Sequence, residues 1–304
     1  MVDTSGPLGV NMDLTEFAQK LGISERILLN YTKNASKHYR EYWSPPNKRL
    51  IYSPNKNLKT IQRFIIDEFL TESFFDCVHG YVKGRSIITN AQMHVDNRYV
   101  LVMDIENFFS SIKKSHVAEI FSKLHCHKIS TELAELCTYK GFLPQGAPSS
   151  PVLSNYFFRS YDEEILKVCN RFGVVYTRYA DDLTFSSNSI DDLTEIKKEV
   201  GLIVNKNEIL KENTKKTRIM RGKMPILVTG INIQNSVLQV QKKQKKLLRA
   251  MTFNKIVNND PISWKRISGL YNFIISVEPD FKEHYLSYFK KIKQNKALIQ
   301  KQTF

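Results

Sequence analysis

The run Tyr99-Val100-Leu101-Val102-Met103, apolar throughout and ended by Asp104, constrains the fold more than any other feature of the chain. An apolar run with no polar alternate leaves no face for water, so it predicts a strand buried on both faces at the centre of a sheet. Two further β-rich arms, Val174–Ala180 and Leu183–Phe185, meet at Asp181-Asp182 and predict a hairpin with two carboxylates at its tip. If the hairpin pairs with the Tyr99 strand, Asp104 arrives beside that tip. Adjacent carboxylates repel, and an acid at the end of a buried strand is costly to desolvate, so the arrangement calls for a compensating cation. A hard divalent ion takes oxygen ligands, commonly one or two carboxylates plus substrate phosphates. Two such ions can orient an attacking hydroxyl and stabilise a leaving pyrophosphate in an in-line displacement. Taken singly, each aspartate also fits an ordinary turn or strand end.

The rest of the chain supplies cover for such a sheet. Its 304 residues are enough for one large domain or a few sub-domains, and 42% apolar content with 18 Phe and 14 Tyr argues against disorder. Leu14, Phe17, Ala18 and Leu21 have helical spacing, and Gly22 separates them from a second helix bearing Ile27, Leu28 and Tyr31. That pattern fits a helical hairpin or a DNA-reading helix-turn-helix. Lys33, Lys37, His38 and Arg40 interleave with Tyr31, Tyr39, Tyr42 and Trp43, as suits contact with RNA or basic side chains lying along a helix. A short strand is expected at Arg49–Tyr52, with helices over Leu58–Phe69, Val117–Leu124, Glu132–Tyr139 and Asn155–Asn170, and a loop at Gly141–Pro151. Strands and helices in this order indicate an α+β fold with antiparallel pairing at its centre.

Charge and cysteine narrow the class. Lys and Arg number 45 against 30 Asp and Glu, a net +15, which favours a polyanionic partner, nucleic acid first. The segment 236–304, expected to be helical, holds fourteen Lys and Arg against Asp260, Glu278, Asp280 and Glu283. Cys77, Cys126, Cys137 and Cys169 lack metal-site or disulfide spacing and read as reduced, buried thiols. Without a long apolar run or signal segment, the expectation is a cytoplasmic protein with no membrane partner.

Four ordered segments resemble reverse transcriptases: Gly80-Tyr81-Val82-Lys83-Gly84-Arg85-Ser86, Met103–Ser110, Leu143-Pro144-Gln145-Gly146-Ala147-Pro148-Ser149-Ser150-Pro151 and Tyr179-Ala180-Asp181-Asp182. The resemblance runs from about Arg49 to Gly230. Asn90-Ala91-Gln92-Met93-His94 and Val228-Thr229-Gly230 further resemble short elements of the bacterial retron reverse transcriptases. The resemblance implies a right-hand polymerase fold: a loose leader at 1–12, N-terminal helices and fingers at 13–100, and a palm with an antiparallel sheet at 101–235. Segment 143–170 contributes to the fingers/palm junction, and a helical basic thumb covers 236–304.

The same resemblance implies an RNA-directed DNA polymerase in which Asp104, Asp181, Asp182 and the Ile105 carbonyl hold two Mg²⁺ ions, with Mn²⁺ as a possible substitute. Phe109 would be a steric gate against the ribose 2′-hydroxyl. Gln145 and Gly146 would border the incoming nucleotide, the glycine through close backbone approach. Arg49 would grip the triphosphate, with Lys48 as competitor, and Lys216 or Lys215 would approach the pyrophosphate. Asn90 and His94 are assigned to RNA recognition or to scaffold, Val228, Thr229 and Gly230 to positioning the RNA, and Lys242, Lys243, Lys245 and Lys246 to binding it.

Partners implied are a cognate structured non-coding RNA, its DNA product, deoxynucleoside triphosphates and an effector protein encoded nearby. Synthesis would start from the 2′-hydroxyl of an internal guanosine and give a branched RNA–DNA used in anti-phage defence. With no ribonuclease H signature, template removal would need another enzyme. Group II intron-like and diversity-generating enzymes share much of the pattern, and a nucleic-acid-binding scaffold that restrains an effector is the alternative of another class.

Overall fold

A computed structural model describes residues 12–45, 49–221 and 226–302. In chain order these form α1 (Leu14–Leu21), α2 (Glu25–Lys33), β1 (Tyr39–Ser44), β2 (Arg49–Pro54), α3 (Lys56–Phe69), α4 (Ile87–Gln92), β3 (Tyr99–Asp104), α5 (Phe108–Ser111), α6 (Lys114–Lys123) and α7 (Ser130–Cys137). There follow α8 (Ser150–Phe172), β4 (Val175–Tyr179), β5 (Asp182–Ser187), α9 (Ile190–Asn205), β6 (Arg218–Arg221), β7 (Ile226–Val228), β8 (Ile231–Gln234), β9 (Val237–Gln239), α10 (Lys242–Ile256), α11 (Trp264–Val277) and α12 (Phe281–Gln302).

The central sheet is antiparallel in the order β4-β5-β3-β6. As its unbroken apolar run requires, β3 is covered on both faces, and by two different cores. Leu101 and Met103 point into a cluster built from the N-terminal helices, α6 to α9 and the hairpin. Val100 and Val102 point the other way, into a cluster made by α4, the β7-β8-β9 sheet and the three C-terminal helices. The alternation follows from the two-residue period of a strand.

Local chemistry sets several boundaries. Asp13 and Glu16 form a capping box at α1, and Gly22, at φ +69°, ends it. Leu28 of α2 is buried in the first core and α2 packs on α7, so the pair is an ordinary helical hairpin within the fold. The basic-aromatic segment after α2 is not a helix along its length: Tyr39–Ser44 is strand β1, paired with β2. Segment 236–304 likewise begins with β9 before its helices start at Lys242. Of the leader expected at 1–12, only Met12 falls within the described residues, and it is buried in the first core, anchored rather than loose. Lys48 lies outside the described residues. All four cysteines are free and buried, and burial raises the thiol pKa of each. Among the described residues no helix is long and apolar enough to cross a membrane.

Candidate active site

The site is assembled by strand register. The last residue of β3, Asp104, is the cross-strand partner of Asp182, the first residue of β5. One residue further on, the Ile105 N–H donates to the Asp181 carbonyl at 3.2 Å. Tyr179 pairs with Asp182 across the hairpin, leaving Ala180 and Asp181 as a two-residue tip in which Ala180 takes φ +60°. Three acids from two distant stretches of chain are thereby gathered at one end of the sheet.

The hairpin tip is clamped from behind. The Cys77–Gly80 segment bonds to it through Arg178 N–H to the Cys77 carbonyl (2.7 Å) and His79 N–H to the Arg178 carbonyl (2.8 Å). A Cβ on Gly80 would lie 2.5 Å from the Ala180 nitrogen, so only glycine permits this approach. Arg178, fully buried, donates to Asp162 of α8 through Nε (2.9 Å to Oδ1) and Nη2 (2.7 Å to Oδ2), and its Nη1 reaches Asn155 Oδ1 at 2.9 Å and the Ala180 carbonyl at 3.3 Å. Its guanidinium also lies 4.7 Å from the Phe158 ring centroid. None of Arg178, Asp162 or Asn155 stood out in the sequence.

A cleft of about 600 Å³ opens in front of the acids, lined among others by Arg49, Asp104, Ile105, Phe109, Gln145, Asp181 and Lys216. A second chamber of about 450 Å³ shares Arg49, Phe109 and Gln145 and adds Gly146, Tyr81, Lys59 and Arg63. Lys59 and Arg63 of α3 were not singled out from sequence. Asp182 and Tyr179 line a third recess of about 340 Å³ together with Arg218, Thr229 and Gly230.

Electrostatics at the tip record a shortage of positive charge. Burial, followed by the charges of Asp181 and Asp104, pushes the Asp182 carboxyl up to about 6. Burial and the Asp104 charge also hold Asp181 above the usual carboxylate range, with Arg49 and Lys216 opposing. Asp104 is differently placed: Lys216 Nζ lies 2.9 and 3.0 Å from its two oxygens, and Asn213 Nδ2 donates to Oδ2 at 3.0 Å. Lys216 is the member of the Lys215-Lys216 pair that makes this contact. Among the described residues no three acidic, His or Cys side chains are drawn together as a ready cage for an ion. The donors at the tip are nevertheless all oxygens, and two of them carry raised pKa values from burial and mutual repulsion, which fits a hard divalent cation.

Other expected residues are placed differently from their sequence reading. His94 is wholly buried, with Nδ1 at 2.7 Å from Ser186 Oγ and Nε2 at 2.7 Å from Thr177 Oγ1, so it braces the back of the hairpin and has no surface to offer RNA. Asn90 and Val228 are also at 0% exposure, which removes both from direct RNA contact. The two short motifs do meet: Asn90 Nδ2 lies 3.4 Å from Thr229 Oγ1, which itself donates to the Ile87 carbonyl. Gly230 is exposed at the β7–β8 turn. Gly146, at φ +116°, is hemmed in by β2, since a Cβ there would lie 2.7 Å from Ile51 Cγ2. The β2 approach by itself requires glycine there, and Gly146 also lines the second chamber. Of the four thumb lysines, Lys242, Lys243 and Lys246 are exposed, whereas Lys245 is ion-paired with Glu278 and three-quarters buried. That pairing takes Lys245 out of the free basic surface.

Sequence similarity identifies the chain's relatives. The family model described as "Reverse transcriptase (RNA-dependent DNA polymerase)" matches residues 33–246. The chain is 31% identical to the retron Ec86 reverse transcriptase of Escherichia coli, over 95% of this chain and 91% of that protein. It is 29% identical to the retron Mx65 reverse transcriptase of Myxococcus xanthus, over 88% of this chain and 69% of that one. Among solved structures, telomerase from Candida albicans aligns with a TM-score of 0.47 at 10% identity, over 87% of this chain and 61% of the telomerase chain.

Proposed function

Since the chain belongs to the retron reverse transcriptases, with the right-hand polymerase fold and RNA-directed DNA polymerase activity of that family, we propose that it copies part of a cognate structured non-coding RNA into a branched RNA–DNA. Its template is RNA and its substrates are deoxynucleoside triphosphates. In this reading synthesis starts from the 2′-hydroxyl of an internal guanosine, and the product acts in the cytoplasm within an anti-phage defence complex that includes an effector protein encoded nearby.

The observation that carries the catalytic part is the register pairing of Asp104 with Asp182, with Asp104 and Asp181 lining a cleft that also holds Arg49 and Lys216, and Asp182 facing the third recess. Asp104, Asp181, Asp182 and the Ile105 carbonyl would hold two Mg²⁺ ions, which supply activation of the attacking hydroxyl and neutralisation of the leaving pyrophosphate. Arg49, a fork of N–H donors on the cleft wall, suits the triphosphate oxygens. Gln145, bonded through its carbonyl to Tyr52 of β2, orients the base pair or sugar, while Phe109 packs against the sugar C2′ and excludes a ribonucleotide. Lys216 exchanges Asp104 for the pyrophosphate as negative charge develops there. Fingers at about 13–100, palm to about 235 and a basic thumb beyond it describe the division of labour, with Lys242, Lys243 and Lys246 along the RNA backbone.

Primer extension on an RNA template, with RNA binding measured in parallel, tests this. Asp181→Asn and Asp182→Asn are expected to abolish extension and leave binding within a few-fold of wild type. Unchanged product would mean that these acids are not catalytic, and RNA–protein scaffolding would then be the better reading.

A further inference from the structure

Tyr81 sits in a backbone conformation that an aromatic residue rarely adopts, φ +63°, yet its side chain fills no core: the residue is 47% exposed. The surrounding chain enforces this. On one side Gly80 is pressed against Ala180, and its carbonyl accepts from Asn155 Nδ2 at 2.9 Å. On the other, Arg85 Nη1 donates to the Val78 carbonyl at 2.7 Å and Nη2 to Asp76 Oδ1 at 2.9 Å, closing the loop on itself. Tyr81 is thus turned out at a fixed tip, between the gate and the acidic hairpin. Its ring centroid lies 6.4 Å from that of Phe109, edge-on, and 6.3 Å from that of Tyr179.

Phe109 needs such a neighbour. It belongs to a four-residue helix entered through Asn107 at φ +49°, and its ring lines both chambers of the cleft. Phe108 next to it is anchored on Phe158, 5.9 Å away, but among the described residues Tyr81 is the one aromatic ring from another element that Phe109 meets. A ring can exclude a hydroxyl by collision only if it cannot turn aside, since discrimination by repulsion is lost when the repelling group yields.

We propose that Tyr81 is a positioning residue for sugar selection, its ring bracing Phe109 so that the gate stays closed against a 2′-hydroxyl. The inference rests on the reading of Phe109 as that gate. An edge-to-face aromatic contact of this kind changes an equilibrium by roughly two- to tenfold, and that is the expected loss of selectivity.

The experiment measures kcat/KM for dGTP and GTP on one RNA template and DNA primer with the full chain, comparing wild type, Tyr81→Phe, Tyr81→Gly, Tyr81→Asn and Phe109→Ala. Glycine and asparagine accept the left-handed backbone, so they remove the ring without opposing the loop, and a melting curve verifies that each variant is folded. The dGTP/GTP ratio should fall two- to tenfold in Tyr81→Gly and Tyr81→Asn, stay at the wild-type value in Tyr81→Phe, and fall furthest in Phe109→Ala. A merely structural loss would lower both substrates together and leave the ratio alone, which would overturn the proposal. If Phe109→Ala also leaves the ratio alone, the gate reading itself fails; if Phe109→Ala opens the gate and the Tyr81 variants do not, only the brace is wrong.

Discussion

Replacing Arg178 by Met should be among the most damaging single changes in the protein. Asp162, 1% exposed, receives three bonds from Arg178 at 2.7 to 3.2 Å and, among the described residues, one other, from the Tyr176 hydroxyl at 2.8 Å. Removing the guanidinium strands a buried carboxylate, a loss of about 3–5 kcal/mol. Asn155 Oδ1 and the Ala180 carbonyl are each deprived of a donor as well, adding about 1–3 kcal/mol where no water replaces it. Against a typical total of about 5–15 kcal/mol, this brings the chain near its unfolding threshold. The double variant Arg178→Met with Asp162→Leu removes the stranded charge and should recover most of the first term. It cannot restore the bond to the Ala180 carbonyl, so the hairpin tip stays slack and turnover stays low in a folded protein. Urea unfolding followed by far-ultraviolet circular dichroism gives the stabilities, and primer extension gives the turnover. A cost below about 1 kcal/mol for Arg178→Met, or a double variant no more stable than the single one, would refute this account of a buried pair holding the acidic tip.

Other consequences can be checked more briefly. Burial holds the His94 imidazole neutral, down to about 3 from an ordinary 6.5, so the unfolded chain takes up a proton that the native one refuses. Stability is therefore complete above pH 6.5 and is lost as pH falls toward 3, by about 2 kcal/mol at pH 5; His94→Gln should flatten the fall in melting temperature between pH 7 and 5, and parallel curves would contradict it. Charge removal at Lys242, Lys243 and Lys246 should weaken RNA binding and lower the salt slope by about 0.7–0.9 for each phosphate that is no longer neutralised, measured by filter binding over a salt series. Lys245→Ala, which breaks the pair with Glu278, should instead lower the melting temperature and leave the slope unchanged.

What could be read from the sequence was what local pattern encodes. The Tyr99–Met103 run and the Asp181-Asp182 turn declare their conformation within a few residues, and the pairing that joins Asp104 to Asp182 follows from joining those two elements. Tyr39–Ser44 hid its strand, because a two-stranded ribbon with side chains open to solvent on both faces shows no apolar alternation. Arg178 and Asp162 look like surface charges when read as letters; that they are buried together depends on α8 lying against β4, which nothing local specifies. His94 and Asn90 were ambiguous for the same reason, since a polar residue near a motif suggests a ligand until non-local packing closes over it. Lys245 differs from its neighbours through Glu278, 33 positions away, and the Phe281 ring that its ammonium lies over.

The two-sided burial of β3 bears on how such enzymes can be rebuilt. Val100 and Val102 are the floor on which the C-terminal helices and the β7-β8-β9 sheet rest, while Leu101 and Met103 on the opposite side belong to the other core. The C-terminal helices and the core beneath the acidic hairpin therefore share a party wall only one strand thick. A grafted thumb from a relative would have to refit those two valines, or the graft would shift the strand that ends in Asp104.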